Sequence, residues 1–303
     1  MNLFESLRQQ GVDPQLLDGI TQFRNTYLPE ADDRIPEVRF TYYGKEVWEK
    51  AIAGILGGNH LLLSGPKATG KNVLSENLAT LFGRPLWTIS LNVNTDAASL
   101  IGSDTFKGGE VTLKKGPVYA CGEAGGFGVF DEINMAKNEA LSVVHSALDY
   151  RRILDVSGYG KLKLHPATRF IGTMNHGYIG TRDLNEALVS RFMVIHMPTI
   201  TKENLELILK EKTRLNDEYI QRFSQFFLDI EKKSLNAEIS SKAIDLRGLL
   251  NAIGLMEVGL PMVSAMEMGI MDKTFDSYEK ELVMDVYATL FSKSLTAQDL
   301  FHA

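Results

Sequence analysis

The sequence predicts an α/β protein in which a parallel five-stranded sheet is flanked by helices and followed by an all-helical region. Three observations carry that expectation. Between Pro36 and about Thr199, short apolar runs alternate with segments of helical periodicity, the pattern of strands buried by the helices that connect them. One of those runs opens directly into a glycine-bounded loop and then into a helical pattern. After Thr199 the strand-like runs stop and only helical periodicity remains.

The elements follow in order. Residues 3–10 and 15–27 have amphipathic helical spacing, broken around Gly11 and Pro14. The acidic, proline-bearing stretch 28–36 reads as a linker, so residues 1–35 form a helical leader. The α/β domain spans 36–199. Its strands are expected at 60–64, 86–91, 128–131, 169–173 and 193–197, and Val73, Leu78, Leu81, Phe82 and Leu141, Val144, Leu148 recur at helical spacing between them. Two alternating segments, 103–115 around Gly108-Gly109 and 152–164 around Ser157-Gly158, read as hairpins. A helical domain fills 200–303, with helices expected at 202–215, 217–233, 240–259 and 278–294. Met256, Met262, Met266, Met268 and Met271 form a flexible apolar cluster within it. They read as core, with an adaptable partner-binding surface as the alternative.

Composition narrows the class. The 303 residues include 32 basic and 38 acidic side chains, a net charge of −6, which argues against coating nucleic acid by bulk electrostatics. No run reaches the roughly 20 apolar residues of a membrane span. The first residues, MNLFESLRQQ, lack the basic start and apolar run of a secretion signal. The single cysteine, Cys121, excludes an internal disulfide and reads as a buried filler rather than a nucleophile. The six histidines are scattered and suggest no metal set. The expectation is a cytoplasmic globular protein.

The chemistry is concentrated in three stretches. The first is Gly65-Pro66-Lys67-Ala68-Thr69-Gly70-Lys71-Asn72, with Val73 beginning the helix that follows. A loop of this kind lets successive backbone N–H groups wrap a phosphate chain, and Lys71 adds charge beside the β- and γ-phosphates. Only the last motif position departs from G-x-x-x-x-G-K-[ST], with Asn72 in place of the hydroxyl that contacts Mg²⁺. The second stretch, Gly126-Phe127-Gly128-Val129-Phe130-Asp131-Glu132, delivers two carboxylates at a strand end. Asp131 would hold Mg²⁺ and Glu132 would polarise the attacking water. The third, Arg169-Phe170-Ile171-Gly172-Thr173-Met174-Asn175, ends another strand on a polar residue. In a parallel sheet these ends share one edge, where ligands bind, so Asn175 would reach the γ-phosphate or its water. Together they predict a nucleotide hydrolase.

With these residues in place the sequence resembles the AAA+ ATPases over nearly its whole length. The loop ending in Lys71-Asn72 is similar to Walker A, Phe127 to Glu132 to Walker B, and Thr173-Met174-Asn175 to sensor 1. Asn185-Glu186-Ala187-Leu188-Val189-Ser190-Arg191-Phe192 is similar to the segment that carries the arginine finger. The resemblance implies that Arg191 reaches the nucleotide of a neighbouring subunit, and that Arg247, in Asp245-Leu246-Arg247, serves as sensor 2 on a helical lid. Phe40-Thr41-Tyr42-Tyr43-Gly44 is similar to the segment lining the adenine pocket. The two hairpins, with Asp131-Glu132-Ile133-Asn134 and Thr173-Met174-Asn175, resemble the MoxR and dynein-related branch, which includes gas-vesicle ATPases and activators of Rubisco and nitric-oxide reductase. The branch implies ATP and Mg²⁺ as ligands, a homo-oligomeric, hexameric ring, and a partner protein with a von Willebrand factor A domain. Its activity would be ATP hydrolysis coupled to remodelling or activating that partner.

Other residues keep two readings. Arg151, Arg152 and Arg182 are further interface candidates. Lys107, Lys114, Lys115, Lys161 and Lys163 are either solvated strand edges or a substrate-facing surface. Two rival functions also stand: a nucleic-acid NTPase motor of the restriction-subunit type, and a nucleotide-binding scaffold with little hydrolysis, which Asn72 keeps open.

Overall fold

The computed structural model describes residues 2–28, 32–175, 183–292, 295–296 and 299–302. Contacts divide the chain into two units, Met1–Pro66 with Gly70–Pro198, and Lys67–Thr69 with Thr199–Ala303.

The first unit opens with helices α1 (Leu3–Gln9) and α2 (Pro14–Thr26). Asp13 starts α2 by accepting from the Gln15 amide, with Pro14 in the first helical position, where a missing N–H costs nothing. Helix α3 (Lys45–Leu56) leads into strand β1 (His60–Ser64), every residue of which is buried. Then come α4 (Lys71–Phe82), β2 (Leu86–Ser90), α5 (Ala97–Ile101), the hairpin β3 (Gly102–Lys107) and β4 (Glu110–Lys115), α6 (Pro117–Ala124) and β5 (Phe127–Asp131). Two short helices, α7 (Asn138–Leu141) and α8 (His145–Leu148), precede the second hairpin, β6 (Ile153–Val156) and β7 (Gly160–Lys163). Strand β8 (Arg169–Met174), helix α9 (Glu186–Val189) and strand β9 (Phe192–His196) complete the unit.

The sheet order is β2-β5-β8-β1-β9, all parallel. The five expected strands are therefore present, and the chain crosses repeatedly between them. Leu61, Leu63, Phe82, Phe127 and Ile171 pack one face with α1–α4, and Leu62, Phe130, Ile133 and Phe170 pack the other. Both hairpins form where the alternation places them. The first turns through Gly108 and Gly109 at φ 64° and 90°, which L side chains rarely adopt. The Tyr159 hydroxyl, in the turn of the second hairpin, donates to Asp104 Oδ1 of the first at 2.8 Å.

The second unit carries α10 (Lys202–Lys212), α11 (Asp217–Leu235), α12 (Leu246–Glu257), α13 (Met262–Gly269) and α14 (Ser277–Leu290). Its core is built on Phe223, Phe226, Phe227, Ile253 and Val283. Two expectations need correction. The helix expected at 240–259 begins only at Leu246. Ser240 gives its N–H and hydroxyl to Glu279 instead, and Asp245 caps the helix by accepting from Gly248. Met262, Met266 and Met268 lie on α13, a helix that the sequence patterns do not predict, with Met256 on α12 and Met271 just after α13. Met256, Met262, Met266 and Met271 are buried as core, whereas Met268 is exposed. Helices α12 and α13 cross at Gly248 and Gly269, where a Cβ on Gly248 would meet the Gly269 carbonyl at 2.1 Å. Among the described residues no helix is long and apolar enough to cross a membrane.

Candidate nucleotide-binding site

The loop after β1 takes the form its glycines permit. Ala68 and Gly70 are left-handed, at φ 60° and 78°. At Gly70 a side chain would also be crowded, since a Cβ would sit 3.0 Å from the Tyr42 ring. The turn delivers Lys71 as the first residue of α4, and its Nζ is held by the Gly65 carbonyl at 3.0 Å and the Pro66 carbonyl at 2.5 Å. Burial pushes the Lys71 ammonium down to about 8, against the opposing pull of Asp131 and Glu132.

The order β5-β8-β1 brings the three motif-bearing strand ends together. Asn72 Nδ2 donates to Asp131 Oδ2 at 3.3 Å, and Thr173 Oγ1 donates to Asp131 Oδ1 at 2.7 Å. Glu132 turns out of the strand with φ 54°. Its amide donates to Thr173 Oγ1 at 3.1 Å, and its carboxylate accepts from Asn175 Nδ2 at 3.4 Å. Asn134, buried, donates its side-chain amide to the Asn175 carbonyl at 3.0 Å. Lys71, Asn72, Asp131, Glu132 and Asn175 thus form one constellation. Thr173 and Asn134 join it as residues quoted in the motifs but given no role by sequence reasoning.

The segment 40–44 lies beside the loop, clamped in a way its sequence did not reveal. Asn77 of α4 accepts from the Tyr42 amide at 2.9 Å and donates to the Phe40 carbonyl at 2.8 Å. Gln10, just after α1, donates to the Tyr42 carbonyl at 3.2 Å and accepts from the Gly44 amide at 2.9 Å. The leader therefore holds this segment in place. Tyr42 is buried, which pushes its hydroxyl up to about 12.

The arginines separate. Arg191 donates to the carbonyls of His145 and Ala187 and lies 3.7 Å from Asp149, with 22% of its side chain exposed. Arg151 also binds Asp149, with Nη2 at 2.6 Å. Arg152 turns inward instead, onto the carbonyls of His165 and Thr168. Arg182 lies outside the described residues. Arg247 is exposed in the first turn of α12, in the second unit. Cys121 is fully buried and burial drives its thiol pKa up, as befits a filler.

The chain has relatives. An uncharacterized Bacillus subtilis protein, YojN, is 35% identical over 247 residues, covering 80% of this chain and 81% of that one. An uncharacterized Staphylococcus epidermidis protein is 33% identical over 246 residues, 79% of this chain and 93% of that one. The model of the AAA domain, dynein-related subfamily, matches residues 60–192. The chain belongs to the dynein-related AAA family. The matched AAA region runs from β1 to the start of β9 and contains the loop, both hairpins, the acidic pair, Asn175 and Arg191. A solved structure from Cytophaga hutchinsonii, described as a candidate ATPase, aligns with TM-score 0.47 and 17% identity over 90% of this chain and 97% of that chain.

Proposed function

We propose that this AAA protein hydrolyses ATP in a ring of identical subunits and couples the reaction to remodelling or activating a partner protein. Residues 36–199 serve as its nucleotide-binding core and residues 200–303 as a helical lid. The observation that supports hydrolysis best is the Glu132–Asn175 pair, a carboxylate and an amide 3.4 Å apart at the joined ends of β5 and β8. That pairing suits a base and a water-positioning group acting on one water.

The residues divide the work as follows. Backbone amides from Gly65 to Val73 and the Lys71 ammonium bind the phosphates. Glu132 takes a proton from the attacking water, and Asn175 orients that water toward the γ-phosphorus. Arg191 stabilises charge on the phosphate of a neighbouring subunit, and Arg247 contributes from the lid. Mg²⁺, when bound, neutralises charge on the phosphate oxygens. The site fits that ion. Asp131 offers carboxylate oxygens at the end of β5, and the Asn72 side-chain amide lies beside them, its nitrogen 3.3 Å from Asp131 Oδ2 and its oxygen left as a further hard donor. Few protein ligands, completed by water and phosphate, are what Mg²⁺ favours.

AAA family members commonly form rings. The family resemblance suggests a hexamer and a partner carrying a von Willebrand factor A domain. The cytoplasm is taken as the setting on composition alone. A second reading, a nucleotide-binding scaffold with little hydrolysis, draws support from Asn72, which departs from the hydroxyl of the motif. Phosphate release from ATP by the purified protein, against protein concentration, tests the proposal. Turnover that rises with assembly supports it, and ATP binding without phosphate release favours the scaffold.

A further inference from the structure

We infer that Thr173 is a positioning residue for hydrolysis, fixing Asp131 and Glu132 in one turn through a single hydroxyl; this rests on the hydrolase reading above. Thr173 is buried near the end of β8. Its hydroxyl has one proton to give and lone pairs to accept with. It gives the proton to Asp131 Oδ1 at 2.7 Å and accepts the Glu132 amide at 3.1 Å.

The accepted amide is the informative contact. Glu132 is a non-glycine residue at φ 54°, a conformation that persists only where the surroundings enforce it. The left-handed step ends β5 and carries the Glu132 side chain away from the strand's alternation, to where Asn175 Nδ2 meets it at 3.4 Å. The Thr173 hydroxyl is the side-chain acceptor that holds the amide of this turn. Asn134, in the turn that follows β5, does the matching work by holding the Asn175 carbonyl at 3.0 Å. Base and water-positioning group are thus each tethered by the opposite strand's neighbour. Threonine suits the place, because its branched Cβ restricts rotation in a strand and keeps the hydroxyl aimed.

The bland alternative is a buried threonine that merely satisfies its own hydroxyl. Thr173→Val, which keeps the shape and removes the hydroxyl, separates the two, with Thr173→Ser as rescue and Thr173→Ala in reserve should valine not fold. ATP turnover, KM for ATP with saturating Mg²⁺, melting temperature and hydrogen exchange at the Glu132 amide are measured on each. Positioning predicts that Thr173→Val lowers kcat by about 10- to 100-fold, the scale of a small misplacement of catalytic groups, with KM changed less than about twofold. Exchange at Glu132 should accelerate in the valine and alanine variants. Thr173→Ser should recover most of kcat and restore the protection. Wild-type turnover in Thr173→Val, or unchanged exchange at Glu132, overturns the inference while leaving the hydrolase reading intact. A parallel loss of kcat, KM and melting temperature that serine does not rescue also overturns it. A wild-type protein that binds ATP and releases no phosphate overturns the hydrolase reading itself, and with it the catalytic part of this one.

Discussion

Asn72 and Asp131 are joined by a hydrogen bond of 3.3 Å from the amide nitrogen of one to the carboxylate of the other. The asparagine thus meets the acid at the end of β5 and keeps its own amide oxygen as a hard donor.

That oxygen is one heavy atom further from the backbone than a threonine hydroxyl, and Mg²⁺ demands near-ideal octahedral geometry. Asn72→Thr should therefore raise turnover at low Mg²⁺ more than at saturation. A magnesium titration of phosphate release for both proteins checks this; superimposable curves would refute it.

Glu132→Gln keeps shape and removes the base. Turnover should fall by about 10²–10⁴, with ATP binding retained through Lys71 and the loop amides. Hydrolysis at the wild-type rate in this variant would assign the base elsewhere.

Arg191 lies against Asp149 and the carbonyls of its own chain, so action on a neighbour's phosphate requires it to extend. Arg191→Ala should bind ATP and lose about 10³–10⁵ in turnover, the worth of a trans arginine. Mixing Arg191→Ala with Lys71→Ala subunits should restore part of the activity, because some interfaces regain both groups. Mixtures as inactive as their components would remove the argument for catalysis between subunits.

His60 is fully enclosed, and its Nδ1 accepts the Phe170 amide at 2.8 Å. Burial first, then the nearby Arg152 and Arg169 charges, push its pKa down to about 3 from an ordinary 6.5. Both folded and unfolded forms are neutral above pH 6.5. Below it the unfolded chain takes up a proton that the folded one refuses, so stability falls from pH 6.5 toward 3. The loss from this group at pH 5 is about 2 kcal/mol. His60→Leu should lower stability near neutrality by leaving the Phe170 amide unpaired, yet flatten the decline between pH 7 and 5. Urea unfolding at the two pH values measures this, and parallel declines would exclude His60 as the source.

Gly248 and Gly254 lie on the same helix but differ in their surroundings. A Cβ at Gly248 would collide with the Gly269 carbonyl, whereas nothing lies within 4 Å of one at Gly254. Gly248→Ala should cost about 1–3 kcal/mol or more by overpacking. Gly254→Ala should be stabilising by about 0.4–1 kcal/mol, since alanine suits a helix interior better. Equal denaturation midpoints for the two variants would contradict the close crossing of α12 and α13.

Much of this was legible in the sequence because it is written in short-range patterns. The strands announce themselves as apolar runs such as HLLLS at β1, and the loop by glycines at fixed offsets. Asp131, Glu132 and Asn175 stand at the ends of such runs, so a parallel sheet puts them on one edge, and they meet because β5 lies beside β8. What stayed hidden depends on partners distant in the chain. Nothing near Gln10 or Asn77 signals that both hold the segment 40–44, and nothing near Asp149 signals that it also meets Arg191, 42 residues later. The start of α12 is hidden for the same reason, because Ser240 is drawn off by Glu279, 39 residues later. Helix α13 escaped because methionine has no strong periodic signature in so short a run.

The placement of β1 has a bearing on biosynthesis. This five-residue apolar strand supports the phosphate loop, yet both its neighbours arrive late: Leu61 lies opposite Ile171 in β8 and Met193 in β9. During translation β1 leaves the ribosome with both edges open and stays so until β8 and then β9 have been made. Parallel pairings of such long range form slowly and leave open strand edges prone to aggregation. The loop thus acquires its sheet only when nearly the whole first unit has been made. A nascent chain stalled between β5 and β8 would carry the Lys71 motif without the scaffold that shapes it.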